Sequence, residues 1–260
     1  MIIRANGIDI RYEVAGSGPW LTLSHSLASD LSMWEPQLEA FCRHFTVLRY
    51  DTRGHGGSSA PVEPYTWELL CDDALGLLDA LKIERTHFLG LSMGGMIAQH
   101  LALRAPQRLA SLILADTSCR TSAAALPVWQ ERLRLVREKG MAALVASTLE
   151  RWFTPPYRAA HPEVMARIGA LIANTPAAGY TGCGHALQTL DLSERLSAVR
   201  APTLVLVGAD DEGTPPALAR DIVAAIPGAR LEIIAQAAHL ANIEQAERFN
   251  QLVLEFLGCR

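Results

Sequence analysis

The hydrophobic pattern of the chain switches between two periods. Apolar residues in short runs or at alternate positions predict strands over residues 2–4, 8–14, 20–24, 46–50, 86–89, 109–115, 203–207 and 231–234. Between them, apolar residues recur at helical spacing over 31–41, over 65–81 and over 93–104. The first two strands flank Asn6-Gly7, a hairpin turn. After the hairpin, strands and helices alternate, which predicts an α/β fold with a mostly parallel, twisted sheet covered by helices on both faces. From residue 118 to 196 the alternation stops. Only helical stretches follow (127–139, 141–153, 162–173 and 177–190), punctuated by Pro155, Pro156 and Pro176. The expected organisation is therefore a core of residues 1–117 and 197–260 interrupted by an all-helical cap, 118–196. Within the cap helix 177–190, Gly182 and Gly184 are expected to loosen the helix by roughly 1 kcal/mol each relative to alanine. A last helix is predicted over 243–257, with Asn242 and Gln245 spaced as a capping box.

One junction stands out chemically. The strand ending at Leu89 runs into Gly90-Leu91-Ser92-Met93-Gly94-Gly95, and helical spacing begins at once. A turn this sharp strains the serine backbone and lifts its hydroxyl above the sheet, beside the N–H groups that open the helix. Such a serine becomes a nucleophile only with a base and an acid that orients the base. Sites in open parallel sheets form beyond the carboxyl ends of the strands. Asp210 and Asp211 follow the 203–207 strand, and His239 follows the 231–234 strand. The order Ser, Asp, His is the one expected for this fold. Asp116, after the 109–115 strand, is the third acid in such a position.

Composition narrows the alternatives. The 260 residues are 50% hydrophobic, enough for one large core. Net charge is −4 and no basic stretch occurs, so nucleic acid is not an expected partner. No apolar run approaches the roughly 20 residues of a membrane helix. The N-terminus enters strand alternation directly, without the apolar core of a signal peptide. Five scattered cysteines (42, 71, 119, 183 and 259) have neither metal spacing nor a disulfide framework. The expected protein is cytoplasmic and acts on a small molecule without a metal or cofactor. Monomer and homo-oligomer are equally compatible with the sequence.

Several stretches together resemble one family. Over its whole length the chain is similar to the α/β-hydrolases, and most to the 3-oxoadipate enol-lactonases. The likeness rests on residues 47–56 (Val-Leu-Arg-Tyr-Asp-Thr-Arg-Gly-His-Gly), the Ser92 turn, Arg151-Trp152-Phe153-Thr154-Pro155 and Ala238-His239. Gly208-Ala209-Asp210-Asp211 with Thr214-Pro215 resembles the family's acid turn, in which the aspartate stands third after the glycine; this selects Asp211 over Asp210. The resemblance implies a Ser92–His239–Asp211 triad and an oxyanion hole from the N–H groups of Leu27 and Met93. Many α/β-hydrolases carry His-Gly before the first donor, where this chain has His25-Ser26. His55 belongs to a structural turn.

The resemblance also implies a small enol-lactone of aromatic catabolism as substrate, with short acyl esters as the alternative. A ligand receptor on the same fold is the alternative of another class. An enol-lactone carries a free carboxylate, so its pocket needs cations or N–H donors. The family segment similar to residues 179–191 carries an arginine near position 188, where this chain has Gln188. Arg151 and Arg158 are the candidate substitutes. Trp152, Tyr180 and His185 are the remaining substrate-binding candidates, with Trp129 a further aromatic that could line the pocket.

Overall fold

The computed structural model describes residues 1–62 and 64–259. An eight-stranded sheet contains β1 (Ile2–Ala5), β2 (Ile8–Gly16), β3 (Trp20–Ser24), β4 (Thr46–Tyr50), β5 (Thr86–Leu91), β6 (Leu109–Ala115), β7 (Thr203–Gly208) and β8 (Arg230–Ile234). Their spatial order is β1-β2-β4-β3-β5-β6-β7-β8. β2 runs antiparallel to β1 and β4, and every other pairing is parallel. β5, β6 and β7 are buried along nearly their whole length, as expected of central strands covered on both faces, while the edge strand β8 keeps only Ile234 buried.

The helices are α1 (Glu35–Cys42), α2 (Trp67–Ala80), α3 (Met93–Arg104), α4 (Leu126–Lys139), α5 (Val145–Trp152), α6 (Pro155–Ala160), α7 (Pro162–Asn174), α8 (Ala177–Gln188), α9 (Pro216–Ala225), α10 (Ala241–Glu244) and α11 (Ala246–Phe256). α2 starts where Thr66 accepts a hydrogen bond from the Leu69 N–H at 3.2 Å. α4 to α8 all lie between β6 and β7. The chain leaves the sheet and returns to it at one place, because the Thr121 N–H donates to Leu190 O and the Leu192 N–H to Cys119 O, both at 2.8 Å.

Two helices are absent from the sequence pattern. α9 buries little more than Ala219 and Ile222, too faint a stripe to register as a period, although parallel β7 and β8 require a crossover. α6 opens on Pro155-Pro156, which read as breakers but occupy a first helical turn that needs no proline N–H. The expected capping box does not form. Asn242 lies inside α10, where its side-chain amide donates to Met33 O at 3.0 Å and Gln37 Oε1 at 3.1 Å, and Gln245 caps α11 without a side-chain hydrogen bond.

The glycines of α8 also play a part that helix propensity does not suggest. α8 lies so close to the loop after β4 that a Cβ on Gly179 would fall 1.9 Å from Gly54 O. One on Gly182 would fall 2.8 Å from the Tyr65 ring. Helix propensity alone predicts that Gly179→Ala stabilises by about 1 kcal/mol. The contact with backbone reverses the sign, and a thermal melt of Gly179→Ala is expected to show a lower Tm, through overpacking worth about 1–3 kcal/mol.

Candidate active site

The N–H of Ser92 continues the sheet by donating to Ala115 O at 2.9 Å, and α3 begins at the next residue. Its φ of 54° and ψ of −116° place this non-glycine residue in a strained conformation. The helix approaches β3 so closely that a Cβ on Gly94 would lie 2.1 Å from Ser24 O, which explains the glycine there. Ser92 O accepts from Thr117 Oγ1 at 2.7 Å, while among the described residues Ser92 Oγ has no protein partner.

His239 follows β8 and is buried. Its Nδ1 lies 2.8 Å from Asp211 Oδ2. A carboxylate only accepts, so Nδ1 carries the proton and Nε2 keeps a lone pair. Asp211 is 2% exposed, whereas Asp210 points to solvent. Thr214 Oγ1 donates to Asp211 Oδ2 at 2.6 Å, and the N–H groups of Gly213 and Thr214 donate to Oδ1 at 2.8 and 3.0 Å. Burial works to raise the Asp211 carboxyl. The Coulombic influence that His239 exerts once protonated, and the bonds from His239 and Thr214, outweigh it, and the group is held below its ordinary value. Asp116 makes no hydrogen bond to His239; its Oδ1 accepts from the Gly208 N–H at 2.7 Å.

The loop after β3 carries Leu27. Two buried histidines shape it. His25 Nε2 accepts from the Thr52 N–H at 2.9 Å, and His55 Nε2 accepts from the Ala28 N–H at 3.1 Å. Both Nδ1 atoms face carbonyls, of Ser26 and Arg53, at 2.7 and 3.1 Å. These bonds require neutral rings. Burial, the largest cause for each, lowers His25 and brings His55 down to about 3. The left-handed residue of the loop is Ala28, φ 59°, so no glycine is needed at Ser26. The Leu27 N–H has no protein acceptor among the described residues, and Met93, first in α3, lies outside the helical ladder.

Ser92, His239 and Leu27 line one cavity of about 410 Å³, within the usual range for a small-molecule site. α4, α5 and α8 supply its far wall through Trp129, Arg132, Arg151, Trp152 and Tyr180. The Trp152 ring sits 6.2 Å from that of His239. The lining holds no carboxylate but three arginines. Arg120 pairs with Asp221 at 3.1 Å, whereas Arg132 and Arg151 have no ion-pair partner among the described residues. Arg132 donates from Nε to Tyr180 OH at 3.0 Å and from Nη2 to Thr148 Oγ1 at 3.2 Å, and lies over the Trp129 ring. Arg151 donates only from Nε, to Ser147 O at 3.3 Å. Burial first, and then the like charge of Arg132, brings Arg151 down to about 10.

Two candidate site residues, His185 and Arg158, lie elsewhere, and so does Gln188 at the position of the family arginine. His185 faces Arg137 Nη2 at 3.3 Å and does not reach the cavity. Gln188 turns back onto Gly184 O, leaving Leu187 to line the wall. Arg158 lies in a separate groove of about 790 Å³, which contains neither Ser92 nor His239. Arg132 is the residue the sequence reading missed. It stands three residues after Trp129 on the same helix, and that i, i+3 spacing was the available signal. Among the described residues no group of three or more His, Cys, Asp or Glu side chains is arranged to hold a metal ion, and no helix is long and apolar enough to cross a membrane.

Comparison with known proteins identifies the fold. Residues 19–246 match the family model of the alpha/beta hydrolase fold. The chain is 37% identical over 253 residues to 3-oxoadipate enol-lactonase 2 of Acinetobacter baylyi, covering 96% of this chain and 94% of that protein. The crystal structure of the enol-lactonase from Burkholderia xenovorans LB400 superimposes with a TM-score of 0.96 at 41% identity, covering 99% of this chain and 100% of that one. A thermophilic esterase from Thermogutta terrifontis, solved with malate bound, gives 0.94 at 32% identity, covering 99% and 98%.

Proposed function

The chain belongs to the alpha/beta hydrolase fold family, close to the 3-oxoadipate enol-lactonases, and from that premise we propose that it is a serine hydrolase that opens a small anionic lactone through an acyl-enzyme. Ser92 Oγ attacks the ring carbonyl while His239 Nε2 takes its proton. Asp211 holds the imidazole in the productive tautomer and stabilises the cation that forms. The N–H groups of Leu27 and Met93 hold the oxyanion. Collapse breaks the ring C–O bond, His239 returns the proton to the leaving oxygen, and water then cleaves the acyl-enzyme by the same path. The helices between β6 and β7 act as a cap that excludes water from the oxyanion and walls the pocket.

The observation that carries the substrate reading is a lining with two unpaired guanidiniums and no carboxylate. Uncompensated like charges are costly at a half-buried site and suit a ligand that brings the negative charge. The esterase relative favours a second reading, hydrolysis of neutral short-chain esters. Steady-state kinetics of Arg132→Met and Arg151→Met on 3-oxoadipate enol-lactone and on p-nitrophenyl acetate separate the two. Loss of a charged hydrogen bond is expected to raise KM for the lactone about tenfold in each variant and to leave the neutral ester nearly unaffected. Equal effects on both substrates, or none on either, would favour the plain carboxylesterase.

A further inference from the structure

The end of β7, which leads into the acid loop, is anchored behind the site by a residue with no step in the mechanism above. Asp116 directly follows β6 with φ 45°, rare for a non-glycine residue, and is wholly buried. Its N–H donates to Leu206 O at 2.9 Å. Its Oδ1 accepts from the Gly208 N–H at 2.7 Å, three residues before Asp211. The acid loop in turn meets the histidine loop directly, because the Asp210 N–H donates to Ala237 O at 2.9 Å and the Ala209 N–H to Ile234 O at 2.8 Å. Oδ2 of Asp116 is buried with no hydrogen-bond partner. A charged carboxylate so placed would be left uncompensated. Burial first, and the Asp211 charge second, accordingly push the Asp116 acid well above its ordinary value.

We propose that Asp116 is a positioning residue: its buried carboxyl ties the end of β7, three residues before Asp211, to the end of β6, and so fixes the His239–Asp211 hydrogen bond. It accepts from the Gly208 N–H and makes no hydrogen bond to His239, so it is not a second orienting acid. The inference rests on reading Ser92, His239 and Asp211 as the catalytic groups, but one of its tests is independent of turnover.

Asp116→Ala removes the acceptor for Gly208 N–H. A shift of the reacting groups by about 1 Å costs on the order of 10²-fold in rate, so a fall of that size is expected in kcat, with KM little changed. Asp116→Asn keeps the Oδ1 acceptor and is expected to recover most of the loss. The downfield proton NMR signal of His239 Nδ1–H reads the His239–Asp211 bond without substrate; it should persist in Asp116→Asn and broaden or vanish in Asp116→Ala. If Asp116→Ala fails to fold, the Asn variant still decides. A lost NMR signal in Asp116→Asn would overturn the proposal, as would an intact signal and full kcat in Asp116→Ala. An intact signal in both, with Ser92→Ala still active, would overturn the catalytic reading as well.

Discussion

Ser92→Ala is expected to keep the fold and to lose about 10⁴- to 10⁶-fold in kcat on any ester or lactone the wild type turns over. The size follows from what the substitution removes. Without Oγ no acyl-enzyme forms, and the residual rate comes from binding and the oxyanion donors acting on water. The fold is expected to survive because the backbone of residue 92 is held by Ala115 O and Thr117 Oγ1, neither of which involves the side-chain hydroxyl. Circular dichroism and a melt on the same preparation check that half of the expectation. Activity in the variant within tenfold of wild type would remove Ser92 from the mechanism.

Asp211→Asn is expected to cost on the order of 10⁴ in kcat, the size of the comparable change in a serine protease. An amide at this position presents an N–H toward Nδ1, which drives the imidazole to the tautomer with its proton on Nε2 and removes the base. Thr214 Oγ1 and the Gly213 and Thr214 N–H groups would still hold the side chain in place, so the loss reflects chemistry and not a collapsed loop. Asp210→Asn is expected to cost little, since Asp210 is exposed and bonds the histidine loop only through its N–H. The reverse ranking in steady-state kinetics would move the role to Asp210. Stability gives a second signature. The folded-state pKa of Asp211 lies below its unfolded value, so the stability it contributes is present above the unfolded value near 4 and is lost as pH falls through the folded one. Acid denaturation of Asp211→Asn should lack that component.

Much of this site could be read from the sequence because its parts obey local rules. The Ser92 turn announces itself by glycines between two hydrophobic periods. Asp211 and His239 sit directly after strands, where an open parallel sheet places its chemistry. The hairpin, the central strands and the break in alternation at residue 118 follow from periodicity alone. What escaped depends on long-range packing. Asn242 and Gln245 have capping-box spacing, but Gln37 and Met33, some two hundred residues away, take the Asn242 side chain. Gly179 and Gly182 look like weak points of a helix until Gly54 and Tyr65 are brought against them. The pocket wall was the least legible part. A periodic pattern says which face of α4 is buried, but not that Arg132 leaves that face without a carboxylate partner, nor that His185 turns toward Arg137.

The central claim is that Ser92 carries the acyl group, and covalent trapping tests it most directly. Wild-type protein treated with a fluorophosphonate, digested and mapped by mass spectrometry is expected to carry one adduct, on the peptide containing Ser92, with activity lost in proportion to labelling. The Ser92→Ala variant should remain unlabelled under the same conditions. An adduct on another residue, or full inactivation with Ser92 unmodified, would contradict the account.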